Sequence, residues 1–323
     1  MRLLTALLLF AFAASASAAI KTQEIPYEST DGTKMIGYFA YDDAKSGIRP
    51  GVIVVHEFWG LNDYAKSRAR DLAALGYSAL AIDMYGNGKH TDHPNDAKAF
   101  MAEALKNAEA AKARFQAGLE LLKKQPQTDP SKIAAIGYCF GGKVVLDMAR
   151  AGLPLAGVAS FHGVLATQTP AQPGAIKAKI LVEHGGADTL VPAESVAAFK
   201  AEMDNAKADY KLVVQPGAKH SFTSPDADKH KGHGLDVGYD KTADQKSWAD
   251  LQAFFKEIFD VKPEGGVKTP DNKNGSPFGL PHSIKCKGRS PPWRHSNNNL
   301  TCVPLGTRGA VCQSLSDESV RLW

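Results

Sequence analysis

The sequence predicts a doubly wound α/β fold, a mostly parallel sheet with helices on both faces. Three observations predict it. Short continuous apolar runs, such as residues 51–55 and 133–136, alternate with helical patterns along most of the chain, as strands covered on both faces do. One of these runs passes directly into Gly137-Tyr138-Cys139-Phe140-Gly141 and then into a helical pattern, giving strand, sharp turn and helix in succession. Two further chemistry-bearing residues, Asp188 and His220, each follow a later strand-like run, and an open parallel sheet builds its sites at the carboxyl ends of its strands.

Residues 35–41 and 51–55 read as the first strands, the second a fully apolar run. Residues 63–75 have helical periodicity, stopped by Gly76 in the C′ position. A buried strand over 77–84 leads to the Gly86/Gly88 turn, and 95–124 carries one long alanine-rich helical pattern that ends before Pro126 and Pro130. After the strand that reaches Cys139 come a helix over 142–151, strands over 156–161 and 179–184, and a helix that opens at Val191-Pro192 and runs to about Lys207. A last strand over 210–215 and a closing helix over 242–259 complete the alternation.

The two ends differ from this body. Met1-Arg2, an apolar run over 3–14 and the small residues 15–19 have the three regions of a secretory signal, with cleavage expected after Ala18. The run is too short for a membrane anchor. Residues 1–18 are therefore read as a signal peptide and the mature protein as exported, periplasmic in a Gram-negative source. Past about Val261, Gly, Pro, Asn and Ser accumulate and periodicity vanishes, so 262–323 reads as a disordered extension, out-of-frame or fused in character. A small cysteine-stapled module is the competing reading there, but Cys286, Cys302 and Cys312 leave one thiol over. Residues 19–261 form the folded domain.

The chain has 323 residues, 44% of them apolar and 22% charged, enough for a full core. A net charge of +4 with interspersed signs gives no polyanion groove, so nucleic acid is not an expected partner. No dinucleotide or P-loop motif occurs, and no organic cofactor is expected. His90, His93, His230 and His233 lie in polar, glycine-containing loops without a carboxylate cluster at ligand spacing, and no metal site is expected from them.

Glycines on either side of Cys139 let the backbone double back, which presents the sulfur near a helix N-terminus where the dipole favours a thiolate. Cysteine, aspartate and histidine in that order match the α/β-hydrolase arrangement. A base must reach the nucleophile, and an acid must fix the base's tautomer. Hence Cys139, His220 and Asp188 are the expected catalytic residues. The backbone N–H groups of Phe58 and Phe140 are the expected oxyanion donors. Glu57, beside an apolar run and two aromatics, is expected to have a raised pKa if buried and to be a partner of the thiol.

The motifs HEFWGLN (56–62), AIDMYG (81–86), GYCFGG (137–142), SFHG (160–163), the 184–192 segment HGGADTLVP and HSF (220–222) are ordered along 20–260. Through them the chain resembles the dienelactone hydrolase family of α/β-hydrolases. The resemblance implies a Cys139, His220 and Asp188 triad acting on an ester or lactone through a thioester acyl-enzyme. It also implies that Glu57 contacts the resting thiol, and that Phe58, Trp59 and Tyr85 border the pocket. Family members that open dienelactones grip the substrate carboxylate with arginines, one of them four residues after the catalytic histidine. Ser224 stands there in this chain, and Asn87 and Lys89 follow Asp83-Met84-Tyr85 where another arginine is expected. The expected activity is thus that of a monomeric, metal-free ester or lactone hydrolase on a small molecule. A non-catalytic small-molecule binding protein on the same scaffold is the rival reading, and a thiol redox sensor lacks a resolving cysteine in the domain.

Overall fold

A computed structural model describes residues 20–260, together with the short strands β9 (Cys302–Pro304) and β10 (Ala310–Cys312), which pair antiparallel. The expected signal peptide, and the disorder expected for the rest of 262–323, lie outside the described residues.

Eight strands form one sheet: β1 (Ile20–Glu28), β2 (Lys34–Asp42), β3 (Arg49–Val55), β4 (Ser78–Ile82), β5 (Thr128–Tyr138), β6 (Gly157–Phe161), β7 (Lys179–Gly185) and β8 (Tyr210–Gln215). Their spatial order is β1-β2-β4-β3-β5-β6-β7-β8. The β1–β2 and β2–β4 pairs are antiparallel and the other five pairs parallel, which makes the sheet mostly parallel, as expected.

Alternation along β3 shows how both faces are covered. Ile53 and Val55 belong to a core shared with α2 (Pro94–Leu105), α3 (Ala108–Lys123), α4 (Phe140–Arg150) and α5 (Ala193–Ala206). Val52 and Val54 belong to a second core shared with α1 (Asp63–Leu75) and α6 (Lys241–Asp260). Successive strand side chains point to opposite faces, so a strand buried on both must be apolar throughout.

Three elements depart from expectation. β1, IKTQEIPYE, is a polar and largely exposed edge strand held by its pairing with β2, and nothing in its periodicity announced it. The long helix expected over 95–124 is two helices, because Asn107 takes extended backbone and caps α3 through its side chain, which accepts from the N–H groups of Glu109 and Ala110. A 3₁₀ helix, Ala227–His233, was not foreseen either.

Candidate active site

Cys139 occupies the turn between β5, the middle of the sheet, and α4, with φ 53° and ψ −113°. A non-glycine residue there is strained, and the surroundings must hold it. They do so through close backbone contact. A Cβ on Gly137 would lie 2.0 Å from the Gly141 carbonyl oxygen, and one on Gly141 would lie 2.3 Å from that of Val55. Only glycine permits both approaches. The Cys139 N–H donates to the Phe161 carbonyl at 3.0 Å. Phe140 is the first residue of α4, and the N–H groups of a helix's first turn have no acceptor within the helix.

Asp188 and His220 come from the loops after β7 and β8. The two loops are laced together by Gly186 N–H to Gln215 O at 2.8 Å and Ala187 N–H to Ala218 O at 2.9 Å. Oδ1 of Asp188 accepts from the N–H groups of Leu190 and Val191, which aims Oδ2 at His220 Nδ1, 2.8 Å away. The Cys139 side chain lies within electrostatic reach of the His220 ring. With Nδ1 committed to Asp188, Nε2 is the nitrogen left to face sulfur. Burial disfavours the charged ring, but the Cys139 sulfur and the Asp188 carboxylate outweigh it and push the His220 pKa up to about 10. The geometry therefore joins His220 to Asp188, with the Cys139 sulfur as an electrostatic neighbour of the ring.

Glu57 follows β3 and is buried, and burial raises its carboxyl to about 7 against the opposing hydrogen bonds of Ser221 and Ser224 and the charges of His220 and Arg68. Its Oε1 accepts from Ser221 Oγ at 3.1 Å. The carboxyl that was expected to meet the thiol thus accepts from Ser221, the residue after His220, with Ser224 nearby. Phe58 offers its carbonyl to the Tyr85 hydroxyl at 3.0 Å. Tyr85 neighbours Cys139 electrostatically and packs against His56 and Phe140, with centroids 4.6 Å and 5.2 Å away. Trp59 meets Phe58 edge-on and stacks on His230 of the 3₁₀ helix at 3.8 Å.

Several residues of this region were not singled out from sequence. Asp83 shapes the Tyr85 loop by accepting from the N–H groups of Tyr85, Gly86 and Gly88. His162, with φ 40°, sets its ring edge-on to that of His220 at 5.2 Å. Arg68 lies in the buried stripe Ala65, Arg68, Ala69, Leu72 of α1. A charged residue within an apolar helical stripe was the available signal for it. Among the described residues no group of three or more His, Cys, Asp or Glu side chains is arranged to hold a metal ion.

The family model of the dienelactone hydrolase family matches residues 35–259. The chain belongs to the dienelactone hydrolase family. It is a hydrolase of the α/β-hydrolase fold. Among dienelactone hydrolase-like structures, a promiscuous phosphotriesterase from metagenomic libraries is 38% identical with a TM-score of 0.68, covering 75% of this chain and 99% of that one. Protein usf of Aquifex pyrophilus is 30% identical over 246 residues, 73% of this chain and 98% of the relative. A Yersinia pestis protein provisionally named carboxymethylenebutenolidase is 26% identical over 229 residues, 67% of this chain and 84% of the relative.

Proposed function

We propose that this dienelactone hydrolase family member cleaves a small, uncharged ester or lactone through Cys139, His220 and Asp188. The observation that carries the reading is the buried His220 ring, bonded to Asp188 at 2.8 Å and within electrostatic reach of the buried Cys139 sulfur. In the reaction the sulfur gives its proton to His220, and the thiolate attacks the carbonyl carbon. The C–S bond forms as the carbonyl π pair moves to oxygen, where the N–H groups of Phe58 and Phe140 receive the negative charge. Collapse expels the alkoxide, which takes the proton from His220 and leaves a thioester. His220 then removes a proton from water, the hydroxide attacks the thioester, and the C–S bond breaks to release acid and restore the thiol. Asp188 keeps the imidazole in the tautomer that serves both halves.

An uncharged acyl group is supported by the fate of the nearby polar groups. Ser224 neighbours Glu57, and Arg68 spends donors on Tyr64, Thr223 and Asp244. Glu57 adds an acid that repels a substrate carboxylate above about pH 7. A Bradyrhizobium relative named as a probable lactonase supports an acyl-transfer site. Glu57 modulates the thiol, and Phe58, Trp59 and Tyr85 border the pocket. We read the enzyme as exported after cleavage behind Ala18, on the strength of residues 1–18, which N-terminal sequencing of the mature protein checks.

The deciding experiment is intact mass after brief exposure to p-nitrophenyl acetate. An acetyl adduct on Cys139, and loss of turnover in Cys139→Ala, are the expected results. Turnover retained in that variant removes the nucleophile assignment.

A further inference from the structure

Arg68 is a buried cation, 8% exposed, on the face of α1 that meets the sheet. Burying a guanidinium is costly unless its donors and charge are matched, and here both are. Nη2 donates to the Thr223 carbonyl at 2.8 Å and to the Asp244 carboxylate of α6, and Nε donates to the Tyr64 hydroxyl at 3.3 Å. The planar group also lies over the rings of Trp248 at 5.1 Å, Tyr64 at 5.3 Å and Tyr138 at 5.7 Å.

Two of these contacts connect the reacting residues. Tyr138 immediately precedes Cys139, and Thr223 lies three residues after His220. One guanidinium therefore touches both the strand end that carries the nucleophile and the loop that carries the base. Tyr64 adds a second tie, its hydroxyl lying 2.6 Å from Thr223 Oγ1 and 3.1 Å from the Thr223 carbonyl. Thr223 Oγ1 lies 2.8 Å from His162 Nε2, and the His162 ring abuts His220. The chain of contacts thus ends on the catalytic imidazole.

We propose that Arg68 is a positioning residue for the hydrolysis: by holding Tyr138 and Thr223 together it sets the approach of His220 to Cys139. The inference rests on the cysteine triad proposed above. An arginine suits the task because its fork donates in several directions while its face stacks on rings. Lysine keeps the charge but cannot do both.

The test compares Arg68→Met, Arg68→Lys and Tyr64→Phe with the unaltered enzyme. kcat and KM are measured on p-nitrophenyl acetate, with thermal unfolding and the pH dependence of Cys139 alkylation by iodoacetamide. An ångström of misplacement at a catalytic pair costs on the order of 100-fold, so Arg68→Met should lower kcat by roughly that factor with KM changed by less than about 3-fold. Alkylation of the variant should move to higher pH, because the imidazole no longer supports the thiolate, and Arg68→Lys should recover part of both losses. A folded Arg68→Met enzyme with kcat within about 2-fold of the parent and an unmoved alkylation curve overturns the proposal. If Arg68→Met does not fold, Tyr64→Phe decides: a loss of about 5-fold or more in kcat with KM unchanged supports the tie to Thr223, and an unchanged kcat overturns it. Failure of the triad itself has a separate signature, full turnover in Cys139→Ala.

Discussion

Glu57 accepts a hydrogen bond at 3.1 Å from Ser221, the residue next to His220 in the chain. The carboxyl is buried on a short turn between β3 and α1, and its neighbour Ser221 holds left-handed backbone at φ 59°. Burial raises the pKa of this acid, fixed beside His220, to about 7, so it titrates near neutrality.

The pH profile of kcat/KM should therefore carry an inflection near 7 that disappears in Glu57→Gln. Initial rates on p-nitrophenyl acetate between pH 5 and 9 check this. An inflection that persists in the variant belongs to another group.

Asp188→Asn should keep KM within a few fold and lower kcat by roughly 10²- to 10⁴-fold, because an amide at 2.8 Å from Nδ1 no longer holds the tautomer that presents Nε2 to sulfur. Steady-state kinetics with a circular dichroism check on folding measures it.

Glu183 is a second buried acid, away from the proposed chemistry. It sits on β7 with Oε2 accepting from Gln215 Nε2 at 2.7 Å, and burial raises it from 4.5 to about 7. Between those values the native state holds a proton that the unfolded chain has released. Stability from this group is thus full below about pH 4.5 and falls as pH rises through about 7. Glu183→Gln removes the titration while its amide oxygen still accepts from Gln215. The variant should gain on the order of 3 kcal/mol over the parent at pH 8 and little at pH 4.5. Urea unfolding at the two pH values is the measurement.

The elbow makes a packing prediction. Gly141→Ala puts a methyl 2.3 Å from the Val55 carbonyl oxygen and should cost about 3 kcal/mol or more, or prevent folding. Gly232→Ala, which meets no atom within 4 Å, is the matched control and should leave the midpoint of chemical denaturation nearly unchanged.

What could be read from sequence follows from how each residue is held. The strands at Val52 to Val55 and Ala134 to Ile136 are buried on both faces, so their apolar runs announce them. β1 owes its conformation to main-chain pairing with β2, and Lys21, Thr22, Gln23 and Glu24 have no pattern of their own. Asn107 divided one helical pattern into two by a local side-chain bond that periodicity does not register. In the site, Cys139, Asp188 and His220 each follow a legible strand, and a parallel sheet delivers such residues to one edge. The bonds of Glu57 to Ser221 and of Arg68 to Thr223 join residues far apart in the chain through loop conformations that spacing cannot supply.

Cys139 ends the central strand, whereas His220 hangs beyond the last one, at the rim of the sheet. During synthesis the thiol consequently emerges before the imidazole proposed to charge it. On the proposed triad, hydrolytic competence waits for β8 to dock and bring its loop across. Regain of turnover in a refolding experiment should accordingly time the closing of that edge, lagging behind the burial of the middle strands.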